Sequence, residues 1–171
     1  MVSASLTPEE FRRALGHFAT GVSVVTVEQT PAPGEGRVRG MTANSFASVS
    51  LDPLLILICV DRKAKILPLL RERRPFGVSI LSSEQQALSR YFATGEQSLS
   101  AEARHGIRYR WTASGIPLLE ESIAQIACHV EAIHPAGDHT VFIGRVESAE
   151  IHRGDPLLFF RGKYRRFELR S

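Results

Sequence analysis

Four short stretches carry the side chains best suited to chemistry. The first is TANSFASVS, in which Thr42, Asn44, Ser45, Ser48 and Ser50 offer short hydrogen-bonding groups. Such groups beside exposed backbone at a strand boundary can bond the edge of a planar heterocycle or hold a phosphate. The same residues can equally serve a loop and edge strand that satisfy their own backbone. The second stretch is VDRKAK, with Asp61 as a helix N-cap and Arg62, Lys63 and Lys65 in the first turn. Cations at that end oppose the helix dipole by about 0.3–1 kcal/mol each. A nearby anion, held by helix amides and basic side chains, offsets that cost; a solvated basic face is the alternative.

The third is GDHT, where His139 follows Asp138 at an expected hairpin turn. The carboxylate can orient the imidazole, which can then donate to a carboxamide or a phosphate. An exposed turn histidine with no role is the competing reading. The fourth is FFRGKYRRFE, in which Arg161, Lys163, Arg165 and Arg166 surround Tyr164. It suits a dinucleotide contact, a nucleic-acid strip or an edge strand guarded by charge. A Ser-His-Asp order, a paired-carboxylate motif and a P-loop do not stand out, which weighs against hydrolases and kinases. The other histidines show no metal-ligand spacing, so no metal is expected. The glycines of PGEGRVRG have the wrong spacing for a dinucleotide-binding GxGxxG turn.

These residues need elements to position them. Thr7, Pro8 and Glu10 read as a capping box opening a helix, with Phe11, Leu15 and Phe18 as its apolar stripe and Gly21 as its end. GVSVVTV reads as a strand, EQTPAPGEGR as a loop over Glu28–Arg37, and Val38–Thr42 as another strand. A loop then leads to Leu54–Val60, an unbroken apolar run that reads as a fully buried strand. The helix begun at Asp61 carries Ile66, Leu69 and Leu70 on its apolar face, and Pro68 limits it. PFGVSIL is a strand and SSEQQALSRYFAT a helix capped by Ser82 or Ser83. GEQSLSAEARHG is a loop with a helical turn, IRYRWT a short strand and GIPLLEES a turn.

The last third is the clearest β region. Ala124, Ile126, Cys128, Val130 and Ala132 alternate with more polar neighbours, which predicts one face in and one out. PAGDH is the turn, TVFIGRVESAEIH the return strand, and PLLFF one more strand. Many strands with few intervening helices predict a mainly β Greek-key barrel decorated by short helices, in a single domain over 1–171.

The totals agree with an ordinary globular chain. Its 171 residues suffice for one core, and 43% hydrophobic with 23% charged content disfavours disorder. The net charge of +3 suits a small anionic ligand more than nucleic acid. No apolar run is long enough to span a bilayer, and MVSASLTPEEF has no secretory pattern. Cys59 and Cys128 fit buried free thiols, so a cytoplasmic location is expected.

Taken in order, FRRALGHFATGVSVVTV, GMTANSFASVSLDPLLILICV, FGVSIL, YFA, GDHTVFIGRV and PLLFFRGKY resemble the short-chain flavin reductase family. These are the reductase components of two-component flavin-dependent monooxygenases. The resemblance spans about residues 7–167. It implies an FMN-binding split barrel, a homodimer, and reduction of FMN or FAD by NADH or NADPH. The reduced flavin would pass to a separate monooxygenase, with no nucleic acid or membrane involved. It further implies that Thr42, Ala43, Asn44 and Ser45 approach the isoalloxazine and ribityl chain, with Ser48 and Ser50 toward the phosphate. Asp61, Arg62, Lys63 and Lys65 would approach that phosphate, though Asp61 and Ala64 stand where members often carry Asn and Ser or Thr. Phe92 would lie near the active site, His139 near the nicotinamide, and Tyr164 near the flavin pocket. A flavin-binding electron carrier without reductase activity is the rival reading, and a basic nucleic-acid module a distant third.

Overall fold

The computed structural model describes residues 6–29, 37–94 and 97–166. The expected Glu28–Arg37 loop lies largely outside them. The helices are α1 (Pro8–Leu15), α2 (Leu67–Arg71), α3 (Gln86–Ala93) and α4 (Leu99–Arg104). The strands are β1 (Thr20–Gly21), β2 (Ser23–Glu28), β3 (Val38–Ala43), β4 (Phe46–Leu51), β5 (Leu54–Asp61) and β6 (Phe76–Ile80). They continue as β7 (Tyr109–Trp111), β8 (Pro117–Leu119), β9 (Ala124–Ala136), β10 (His139–Ile151), β11 (Leu158–Phe160) and β12 (Lys163–Arg165).

Seven strands form one antiparallel sheet in the order β3-β2-β6-β9-β10-β5-β4. Laid flat, seven strands would place β3 and β4 about 29 Å apart. Yet only Asn44 and Ser45 join the two strands, and three peptide steps reach at most about 11 Å. The sheet must therefore roll until its two edges meet at Asn44–Ser45. That closure makes the expected barrel, and it puts the TANS stretch at the seam.

The barrel interior holds Val25, Val27, Ile56, Ile58, Val60, Phe76, Val78 and Phe142, plugged by Ile66, Leu67 and Leu70 of the α2 region. Gly144 lets the Phe76 ring lie against bare backbone, since a Cβ there would sit 2.6 Å from it. A second cluster covers the outside of β2: Val22, Val24, Leu81, Tyr91, Phe92, Leu119 and Leu157. β2 is thus covered on both faces, which is why its Ser23–Val27 run is wholly buried.

Several expectations are corrected. The loop expected before Leu54 is instead the edge strand β4, exposed along Ala47–Val49. β5 is not buried on both faces: Ile56, Ile58 and Val60 point inward, while Leu55, Leu57 and Cys59 on the other face are only half-buried. α1 stops at Leu15 with Gly16 as its cap, not at Gly21, although its Thr7–Glu10 capping box forms as expected. Its expected stripe is left largely open, for Phe11, Leu15 and Phe18 are each more than half exposed. GIPLLEES holds its expected turn, at Glu120 and Glu121, and also the buried strand β8. β9 keeps its expected inward face, with Ile126, Cys128 and Val130 on the barrel core, but Gln125 and Ala127 on the other face are buried as well, under β8.

Candidate functional site

Val22 ties the barrel to a second sheet of order β1-β11-β12. Its amide donates to the Leu157 carbonyl, and its own carbonyl accepts from Leu81. Arg161 and Gly162 both take positive φ (50° and 73°), the two-residue turn that folds β12 back on β11. This hairpin brings Tyr164 over α3, where its hydroxyl lies 2.9 Å from the Ser89 hydroxyl. The Ser89 carbonyl accepts from Thr42 Oγ1 at 2.6 Å. Thr42, Ser89 and Tyr164, from three different elements, are thereby fixed to one another.

Together they line a cavity of about 250 Å³ with Met41, Asn44 and Phe92. A neighbouring cavity of about 290 Å³ is lined by Phe18, Thr20, Gly21, Asn44, Phe46 and Ile80. Val22 and Asn44 border both, so the two make one cleft along the seam. Phe92 is 1% exposed and forms its wall by packing onto Gly40. A Cβ on Gly40 would come within 2.4 Å of that ring. The Arg90 guanidinium lies 5.7 Å over the Tyr164 ring, within cation–π range.

A planar heterocycle fits this cleft on two grounds. Its floor at Gly21 is bare, since a Cβ there would meet no atom within 4 Å. At its mouth the exposed Asn44 side chain has no hydrogen-bond partner among the described residues. Ala43 is buried, and its carbonyl already accepts from Ser23 Oγ at 2.9 Å. Ser45 is also engaged: its hydroxyl donates to the Cys59 carbonyl at 3.0 Å. Ser45 instead fastens the seam to β5.

A second region lies at the same barrel end. His139 pairs across the sheet with Asp61, two residues along β5 from the Cys59 that Ser45 grips. The Asp61 carboxylate accepts from the Lys63 amide at 2.7 Å, and the Arg62 amide donates to the Asp138 carbonyl at 3.0 Å. This overturns the expected helix start. Asp61 ends a strand and shapes a turn, and α2 begins only at Leu67. Arg62, Lys63 and Lys65 are exposed in that turn beside the hairpin tip. His139 Nδ1 lies 2.7 Å from the Asp138 carboxylate. That hydrogen bond, then the charge of a protonated ring, holds the Asp138 carboxyl below the usual aspartate range. The ionised carboxylate only accepts, so the proton sits on Nδ1 and Nε2 faces away.

The structure does not bring Ser48 and Ser50 to this turn. Ser48 pairs with Ile56 and Ser50 with Leu55, toward the far end of β5. Leu55 and Asp61 are six residues apart, about 20 Å in extended chain. Ser50 instead accepts from the Asp52 amide in the β4–β5 turn. Sequence reasoning missed Ser89, whose three-residue spacing from Phe92 puts both on one face of α3 and was the available signal. Both thiols are free, Cys59 half-buried and Cys128 buried. Burial raises both, Cys128 to about 12, so neither is a nucleophile at neutral pH.

Comparison with known proteins agrees with this geometry. Residues 15–168 match the family model described as a flavin reductase like domain. An NADH-dependent flavin reductase of a Rhodococcus species is 43% identical over 164 residues, 96% of this chain and 89% of that protein. A flavin-dependent monooxygenase reductase subunit, HsaB of Rhodococcus jostii, is 34% identical over 96% of this chain and 80% of its own length. The NADH:FAD oxidoreductase SgcE6 of Streptomyces globisporus, solved with NAD and FAD fragments, superposes with a TM-score of 0.83. It is 35% identical, and the match covers 98% of each chain.

Proposed function

The chain belongs to the flavin reductase-like domain family, and from that premise we propose how its own residues serve the reaction. It is an NADH-dependent flavin reductase that supplies reduced flavin to a separate flavin-dependent monooxygenase. One observation carries the assignment of the cleft: three hydroxyl-bearing elements lock together around an open cavity at the barrel seam.

A flavin held in this cleft would supply the hydride acceptor and a nicotinamide beside it the donor. The protein needs no nucleophile; it must hold two rings stacked with the reacting atoms roughly 3–3.5 Å apart. Thr42, Ala43, Asn44 and Ser45 form the ring edge of the site, and Asn44 is the side chain left free to bond it. Gly21 leaves room for the ring where any other residue would place a side chain, while Phe92 and Tyr164 wall the cleft. Lys63 and Lys65 attract the flavin phosphate, and Asp61 and Arg62 shape the turn that presents them. Ser48 and Ser50 are left out of the phosphate contacts because β4 carries them away. His139, its Nδ1 proton committed to Asp138, presents Nε2 to the nicotinamide dinucleotide.

The exposed stripe of α1 supports a homodimer. Phe11, Leu15 and Phe18 are 52%, 57% and 77% exposed, a contiguous apolar face that a second copy can cover. We assign the whole of 7–167 to one domain. Among the described residues no helix is long and apolar enough to cross a membrane. That and the two free thiols support a cytoplasmic setting, where NADH is available.

The direct test is anaerobic single turnover with NADH deuterated at C4. Direct transfer predicts bleaching of the flavin band slowed by the heavy isotope. Bleaching with no isotope effect in either C4 stereoisomer would mean that the rings are not held for hydride transfer.

A further inference from the structure

β3 is an edge strand of the barrel sheet, so the backbone groups of Gly40 that face away from β2 need a partner outside the sheet. The Gln97 side chain supplies it. Its carboxamide accepts from the Gly40 amide at 2.9 Å and donates to the Gly40 carbonyl at 2.7 Å. One side-chain amide thus does what a neighbouring strand would do. Gly40 is also the residue on which the Phe92 ring rests, with no room for a Cβ between them. Gln97 and the wall of the seam cleft therefore meet at one residue.

Gln97 leads directly into α4. This helix buries none of its residues: Ala101 packs partly buried against the cluster outside β2, and Leu99 is 62% exposed. Its other contacts return to Tyr91, the neighbour of Phe92. The amide of Ser98, the N-cap, donates to the Tyr91 hydroxyl at 3.2 Å, and the ring of His105, the C-cap, lies 5.1 Å from the Tyr91 ring. Tyr91 in turn meets Phe92 edge-on at 5.0 Å. An element with so little buried apolar surface opens locally at low cost. Opening α4 releases the edge of Gly40 and the hydroxyl of Tyr91 together, and these are the two supports behind Phe92.

We infer that α4 is a latch behind the ring site, with Gln97 as the positioning residue that couples the two. With the latch closed, Phe92 is held against the cleft, and a ring packed on that wall binds the closed form better than the open one. Ring binding and latch closure then favour each other, and the coupling is reciprocal. The ring as ligand rests on the reductase reading; the latch itself rests on Gln97, Gly40 and Tyr91.

The test uses the full chain, riboflavin as the ring-only probe, and the variants Gln97→Ala and Gln97→Glu. Gln97→Ala should weaken riboflavin binding by about fivefold or more, the equivalent of one net hydrogen bond. Gln97→Glu separates donor from acceptor. An ionised carboxylate accepts from the Gly40 amide but cannot donate to its carbonyl, whereas a protonated one can do both. Its riboflavin affinity should match that of Gln97→Ala at neutral pH and recover toward the wild type as pH falls through about 4–5. Arg37, Arg39, Glu102, Arg104 and His105, with the Tyr91 and Tyr109 hydroxyls, are the charged or titratable groups on and around α4 among the described residues. The wild type carries them all, so its affinity at each pH isolates position 97. In the wild type, riboflavin should also slow hydrogen exchange of the Gly40 and Ser98 amides by about fivefold or more, followed by NMR. A loss of stability in Gln97→Ala with riboflavin affinity unchanged would make Gln97 a purely structural residue and overturn the inference. Exchange at Gly40 and Ser98 that riboflavin leaves unchanged would overturn it too, and in both cases the ring site would stand. A wild type that binds no riboflavin would sink the ring-site reading, and the coupling with it.

Discussion

In the seam cleft, Thr42, Ser89 and Tyr164 hold one another by hydrogen bonds, and the Phe92 ring lies on bare Gly40. At the hairpin tip 42% of the His139 side chain is exposed, and Lys63 and Lys65 stand in solvent on a turn fixed through its backbone. The first region is organised before any ligand arrives and is part of the fold's stability. The second offers exposed charge at little structural cost. A ring that must be oriented for hydride transfer suits the first. A phosphate or a departing dinucleotide suits the second. Substitutions in the cleft should therefore cost stability and ring binding together, while substitutions at the tip should change phosphate affinity alone.

The largest expected effect comes from Phe92→Ala. Removing this buried ring should destabilise the fold by about 3–5 kcal/mol. Riboflavin binding should fall with it, measured by denaturant unfolding and fluorescence quenching on the same preparation. A stable variant with normal riboflavin affinity would break the link between packing and ring binding. Tyr164→Phe is the finer probe, since it removes one hydroxyl and strands that of Ser89. A loss of about 0.5–1.5 kcal/mol in stability is expected, with weaker riboflavin binding. Unchanged binding would mean that the Tyr164 hydroxyl steadies only the protein.

At the tip, Lys63→Ala/Lys65→Ala should leave stability within about 0.5 kcal/mol of the wild type, as surface changes do. Riboflavin should bind as before and FMN more weakly. Equal losses for both ligands would move the lysines from the phosphate to the ring. The smallest effect is that of pH on Asp138. Its folded carboxyl titrates below the usual aspartate value, so its contribution is present above the unfolded pKa and is lost as pH falls through the lower, folded one. Carboxyl NMR should show Asp138 ionised throughout pH 5–8, with the tip unchanged. A midpoint above the ordinary aspartate range would contradict the His139 hydrogen bond.

The same division explains what the sequence made legible. The barrel was readable because its strands carry buried β-branched and aromatic residues in runs bounded by turns, and the Thr7–Glu10 box announced α1 through local chemistry. β4 escaped because it buries little of its own surface; its Ser and Ala residues look like loop. Asp61 misled because a side chain that caps a helix can equally close a turn at the end of a strand. The burial of β9's outer face depends on β8 packing over Gln125 and Ala127, which no reading of β9 alone can find. In the cleft, Thr42 and Tyr164 stood out through the family-like motifs. Ser89 did not, because its bonds reach 47 residues back and 75 forward. Local signals carried the elements and the charged tip, while the rigid part of the site is made of long-range contacts.

The most direct test of the central claim is NADH consumption by the purified protein, followed by its near-ultraviolet absorbance, with FMN added, FAD added or neither. The account predicts many turnovers that depend on added flavin, with reduced flavin leaving the protein after each one. A stable bound flavin with no NADH oxidation in any of the three mixtures would contradict it.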